Sequence, residues 1–153
     1  MCPTRPHLYC LLATAALLLG SQTPASAADL GGSDIQLSTI SLIQAGDFDM
    51  ARISQTGENR ATVLQSGNHQ FADITQSGIG NHVDVTQSGL ANTLYAVQSG
   101  SNNQMRVSQL GGAYANLSQS GSNNAITLSQ AAGHDRACIS QSGSGNNAVI
   151  SQH

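Results

Sequence analysis

The side chains that set the chemistry of this chain are amides, and they return on a beat. Glutamine stands at Gln44, Gln55, Gln65, Gln76, Gln87, Gln98, Gln109, Gln119, Gln130, Gln141 and Gln152, mostly 11 residues apart and twice 10. Six residues before a glutamine, asparagine dominates: Asn59, Asn81, Asn92, Asn103, Asn124 and Asn146, with Asp49, Gln70 and Asp135 as polar variants. A primary amide carries two donors and an acceptor. Stacked on copies of itself, it donates to one neighbour and accepts from the other, and so becomes tolerable in an interior that otherwise penalises polar groups. The chemistry this spacing offers is self-association.

Other constellations are weaker. His134, Asp135 and Cys138 are metal-ligand types, but no second ligand pair has zinc-like spacing, and no metal is expected. Gly143, Gly145 and Ala148 match a G-x-G-x-x-A fingerprint, yet no helix follows, and no cofactor is expected. Serine occurs in every unit, and catalysis needs one singular concave constellation, so no enzyme is expected. Asn116-Leu117-Ser118 matches a glycosylation acceptor and carries no further argument.

The elements that position the amides follow from parity. Two residues before each glutamine lies an aliphatic: Leu42, Ile53, Val63, Ile74, Val85, Val107, Leu117, Leu128, Ile139 and Ile150, with Ala96 the small exception. Four before lies another apolar residue, such as Ala51, Ala61, Ala72, Val83, Leu94, Met105 or Ile126. In a strand, residues two apart share a face, so the Asn, Ala, Ile and Gln positions point one way. Intervening positions are Ser, Thr, Arg, Asp, Tyr and Asn, suited to solvent. Each unit reads as a strand of about seven residues. A turn of about four follows, carrying Gly57, Gly67, Gly78, Gly89, Gly100, Gly111, Gly121 or Gly143 two residues after the glutamine. The Gln130 unit departs, with Ala132 in that place and Gly133 one later.

Such short strands bury one thin face each. The expected fold is all-β: a β-solenoid of cross-β type, with stacked strand–turn–strand repeats, two strands per coil and about five coils. Residues 21–22 apart are then neighbours in one sheet, which sets Arg52 beside Asp73 and Asp84 beside Arg106. The first unit, Ser38 to Gln44, matches the pattern least, with Ser38 in the Asn position and Ile43 facing outward. Residues 29–45 are therefore expected to be a loosely ordered segment or a weak first strand, and 46–153 the repeat core. Ten strands from Asp49 to Gln152 make the five regular coils.

Residues 1–28 are a different object. Arg5, the apolar run from Leu11 to Gly20 and Ala25-Ser26-Ala27 read as a secretory signal peptide, too short to span a bilayer. All three prolines fall within it. The rest has one cysteine, Cys138, which excludes an internal disulfide and leaves one between subunits open. With 8% charged residues and a net charge of -3, the sequence lacks the basic footprint of a nucleic-acid binder.

The pattern Q-x-G-x-x-N-x-[A/V]-x-[I/V/L]-x-Q, clear from Gln76 to Gln87 and from Gln141 to Gln152, resembles the curlin repeat, and the resemblance covers about residues 38–152. It implies a secreted subunit of extracellular amyloid fibres that serve adhesion and biofilm matrix. It further implies export through a dedicated outer-membrane channel with accessory factors, and as partners the chain itself and another curlin subunit. The alternative within the family is the minor subunit that nucleates growth. Outside it, a solenoid surface-binding protein would need one residue type in outward register, whereas Arg52, Asp73, Tyr95, Asn116 and Cys138 are mixed. With His153 one residue past a complete strand and no Pro or Lys guarding that edge, end-to-end polymerisation is expected.

Overall fold

Alternation of apolar and polar side chains drives every unit into a strand, and the glycines between units reverse the chain. A computed structural model describes residues 38–131 and 133–153; the expected signal peptide lies outside the described residues. Eleven strands follow: β1 (Thr39–Asp47), β2 (Met50–Thr56), β3 (Asn59–Asn68), β4 (Phe71–Ile79), β5 (Asn81–Leu90), β6 (Thr93–Ser101), β7 (Gln104–Leu110), β8 (Tyr114–Ser122), β9 (Ala125–Gln130), β10 (Arg136–Ser144) and β11 (Asn147–Gln152). The odd-numbered strands form a six-stranded sheet and the even-numbered strands a five-stranded one. All pairings are parallel and put repeat positions in register, as in Gln65↔Gln87 and Gln76↔Gln98. This is the β-solenoid expected, two strands to a coil and about five coils.

The first unit takes a full place in it. β1 pairs with β3 at nine consecutive positions, from Thr39↔Arg60 to Asp47↔Asn68. Its inward Leu42 and Gln44 share the parity of the other units, and that outweighs the poor match at Ser38. The described solenoid thereby has eleven strands, one more than the ten expected to build regular coils, and its odd-strand sheet has six to the other sheet's five. The expected 29–45 segment ends within β1, and residues 29–37 lie outside the described residues.

The core is the thin space between the sheets. Val63, Ile74, Val85, Leu94, Met105, Leu117, Ile126 and Leu128 are buried there with Ala72, Ala96 and Ala115. The small Ala96 stacks between Ile74 and Leu117, and Leu94 stacks between Ala72 and Ala115. Large and small are exchanged within β6, so its inward volume is conserved while its neighbours keep theirs. Interiors packed to crystal-like density tolerate such volume-conserving swaps best.

The turns impose a harder rule. Gly100 has φ +106, and a Cβ there would overlap the carbonyl oxygen of Gly121 in the next coil. The glycine column is thus a line of close backbone approach as well as of unusual torsion. A second left-handed position, two residues on, escapes the glycine pattern: Phe48, His69, Ala91, Asn102, Asn123 and His134 all have positive φ. Stacking fixes it, because His69 N–H donates to Asp47 O, Ala91 N–H to Asn68 O and Asn102 N–H to Ile79 O, each at 3.0 Å. The two 10-residue intervals shorten a turn, Gly57-Glu58 before β3 and Gly111-Gly112-Ala113 before β8, and leave strand register intact.

Gly100→Ala is expected to cost more than about 3 kcal/mol, from backbone strain and overpacking together. Gly111→Ala meets no atom within 4 Å and strains only a φ of +69. Its expected cost is about 1–2 kcal/mol. Denaturant midpoints of the two variants check the ranking.

Candidate functional site

The inward glutamines form two continuous columns. In the odd-strand sheet, Nε2 of each donates to Oε1 of the next: Gln44 to Gln65 (2.7 Å), Gln65 to Gln87 (2.8 Å), Gln87 to Gln109 (2.8 Å), Gln109 to Gln130 (3.0 Å) and Gln130 to Gln152 (2.8 Å). In the even-strand sheet the column runs Gln55, Gln76, Gln98, Gln119, Gln141, at 2.6 to 3.0 Å. The odd-strand amides also reach across the coil. Gln87 Nε2 donates to Phe71 O and Gln109 Nε2 to Thr93 O, tying each strand's end to the start of the facing strand.

Asparagine supplies a third column, at the start of the odd strands. Asn81, Asn103, Asn124 and Asn146 each donate from Nδ2 to Oδ1 of the preceding asparagine, beginning at Asn59, at 2.9 to 3.1 Å. This column donates in the opposite direction to the glutamines, and the backbone is the reason. Each Oδ1 also accepts the main-chain N–H of the next asparagine, as Asn59 does from Asn81 at 3.2 Å. The oxygen must therefore face the following coil and the nitrogen the preceding one. Nδ2 of Asn81 is further placed 2.9 Å from Ser77 O and 3.0 Å from Gly100 O, so the asparagine pins the turn.

The even strands hold no such uniform column. Their equivalent positions are Asp49, Gln70, Asn92, Ala113 and Asp135; Asn92 Nδ2 donates to Gln70 Oε1, and Ala113 N–H to Asn92 Oδ1. The sequence-predicted amides thus divide into two glutamine columns, one full asparagine column on the odd side, and Asn92 in a short mixed column. The turn glycines Gly57, Gly67, Gly78, Gly89, Gly100, Gly111, Gly121 and Gly143 all take positive φ beside them.

Among the described residues, both ends of the solenoid are open cross-sections. The half-buried apolar residues at the margin of the core are Leu42, Ala51, Ile53, Ile139, Ala148 and Ile150. All belong to the four edge strands β1, β2, β10 and β11. Two buried side-chain oxygens have no hydrogen-bond partner among the described residues, Asp49 Oδ2 and Gln55 Oε1, and both lie at the β2 end.

The outer faces carry charge and aromatic pairs. Arg52 and Asp73 are register partners with a 3.5 Å ion pair, and Asp84 and Arg106 are register partners too. On the even-strand sheet, Phe71, Tyr95 and Tyr114 pack with ring centroids 5.4 and 6.2 Å apart, and Arg136 lies 5.1 Å over Tyr114. Tilted rings and a guanidinium over a ring face are both favourable. Sequence reasoning treated these positions as mixed and missed the aromatic run. The repeat spacing does not mark it, because Thr93 holds the place between Phe71 and Tyr114 and Tyr95 sits two positions along. Cys138 is exposed, and no cluster of three metal-ligand side chains occurs among the described residues.

The curlin associated repeat model matches residues 58–89 and 80–111, two overlapping windows that start in successive coils of the odd-strand sheet. The match bears out the resemblance to the curlin family. No curated protein and no solved structure gave a significant match.

Two outcomes follow from this geometry. Gln87→Ala strands the Gln65 donor and the Gln109 acceptor, with an expected loss of about 1–3 kcal/mol. Thr86→Ala, at an exposed position beside it, should stay within about 0.5 kcal/mol; paired denaturation curves check the contrast. The second concerns His82, whose pKa falls below its ordinary 6.5 because burial disfavours the cation; Asp84 opposes this, and Arg60 and Arg106 add to it. The folded chain then resists a proton that the unfolded chain accepts. This contribution is fully present above pH 6.5 and fades as pH falls below it. His82→Asn should lessen the drop in denaturation midpoint between pH 7.5 and pH 5.

Proposed function

We propose that this chain, a curlin-family repeat protein, is a secreted subunit that assembles end to end into extracellular amyloid fibres, used for adhesion and as biofilm matrix. The observation that carries the reading is the pair of open ends. Each presents half-buried apolar side chains, amide column termini and edge-strand backbone at once. A strand edge with these properties is a template for another chain, and the amide columns favour a neighbour with the same repeat. Mixed chemistry on the outer faces argues against a dedicated surface binder.

In this reading the glutamine and asparagine columns are the machinery of assembly, and the strands from β1 to β11 supply the repeating body. Export follows removal of residues 1–28, through an outer-membrane channel with accessory factors. Another curlin subunit serves as a partner at the cell surface. No catalytic step is involved.

The secreted chain, purified unfolded and diluted into buffer, should form fibres with a meridional spacing of about 4.7–4.8 Å. Preformed fibres should shorten the lag. A chain lacking residues 142–153, and with them β11, should elongate much more slowly on wild-type seeds. Soluble, non-growing monomer across a wide concentration range would rule the reading out.

A further inference from the structure

The described strands number eleven, and an odd number constrains how two copies can meet. A copy translated along the solenoid axis would set its β1 on β11, because both belong to the odd-strand sheet. Its β2 would then stand two strand spacings above β10, and the even-strand sheet would be broken by a gap at every joint. A half-turn about the axis removes the gap. The two sheets exchange places under that rotation. Strand directions still match, because consecutive strands reverse direction across each turn.

We propose that successive copies of this chain are related by a half-turn about the fibre axis, so that β1 of one copy pairs with β10 of the copy before it, and β2 pairs with β11. This rests on the end-to-end assembly proposed above and specifies its joint.

Register supports the half-turn position by position. Laying β2 on β11 sets Ala51 on Ala148, Ile53 on Ile150, Ser54 on Ser151 and Gln55 on Gln152. Laying β1 on β10 sets Gln44 on Gln141 and Leu42 on Ile139. The turns match as well. Gln44 to Asp49 and Gln141 to Asn146 are of equal length. Each has positive φ at its second and fourth residues after the glutamine, Gly46 (φ 140) and Phe48 (φ 60) against Gly143 (φ 105) and Gly145 (φ 70).

The amide column selects the same arrangement. Within a copy each glutamine oxygen beyond the first coil accepts from the glutamine of the preceding coil, and among the described residues the buried Gln55 Oε1 has no partner. The half-turn brings Gln152 of the preceding copy beneath it, with Nε2 in the donating position. Gln44 receives Gln141 in the same way, so both glutamine columns run through the joint. Asn146 Oδ1 meets the Asp49 N–H, as Asn59 Oδ1 meets the Asn81 N–H inside the chain. Translation supplies Gln44 and leaves Gln55 over the gap.

Cys138 makes the test direct. In the half-turn joint it lies beside Ser41 of the next copy, at the neighbour-strand distance of about 4.8 Å, within the range a disulfide spans. Ser41→Cys fibres, mildly oxidised and then dissolved without reductant, should run as a ladder of covalent oligomers. A second variant, Ser41→Cys with Val149→Cys and Cys138→Ser, places its thiols together only in the translated joint and should stay monomeric. Cross-linking in the second variant and not the first overturns the half-turn. So does the lack of cross-linking in both, where fibres grow normally. A wild-type chain that forms no fibres instead removes the assembly reading itself. Helical reconstruction reads the same choice as a rise of about 26 Å per copy with a rotation near a half-turn, against about 29 Å without it.

Discussion

The constraint on which the rest depends is that a buried primary amide must be bonded on both sides. Gln65, Gln76, Gln87, Gln98, Gln109 and Gln119 are fully enclosed, and each is held by a glutamine below and one above. A one-residue slip would turn a strand's apolar set to solvent, but a two-residue slip would keep it inward; the column of amides forbids that slip too, because it leaves every donor facing the wrong group. The columns therefore lock the register of all eleven strands. The aliphatics between them then need only fill volume, which explains the free exchange of Leu94 and Ala96.

From that register the turns follow. Coils one strand spacing apart bring equivalent turns into backbone contact, and only glycine leaves room for it at positions such as Gly100. The hydrogen bonds continue through the turns, so the ladder encircles the coil. Ala91 and Phe48 accept a left-handed backbone that costs each about 1–2 kcal/mol on its own. Their N–H or carbonyl neighbours, stacked on the adjacent coil, hold them there. Local preference yields to the repeat.

The same logic separates the body of the molecule from its ends. Inside, each strand satisfies its neighbours and the outer faces are free to carry Arg52–Asp73 or the Phe71–Tyr95–Tyr114 run. At β1, β2, β10 and β11 the columns break off, and the Gln55 oxygen, without a partner among the described residues, marks one such break. Fold and assembly use one interaction, extended past the chain.

The sequence by itself determined the strand parity, the inward set, the two-strand coil and the turn glycines, because a period of 11 with fixed offsets admits one consistent set of faces. It carried the neighbours Arg52–Asp73 and Asp84–Arg106 for the same reason. Only the tertiary structure decided the rest. The opposed donor directions of the Gln and Asn columns depend on main-chain N–H groups that no residue pattern records. The left-handed place is visible in Gly80, Asn102, Asn123 and Gly145, but masked by Phe48, His69, Ala91 and His134, since stacking and not residue preference imposes it. The standing of β1 turned on pairing with β3 twenty-one residues away, where inward Leu42 and Gln44 outweigh a weak local match. Whether the sheets hold five strands each or six and five was settled there, by a long-range contact and not by local pattern.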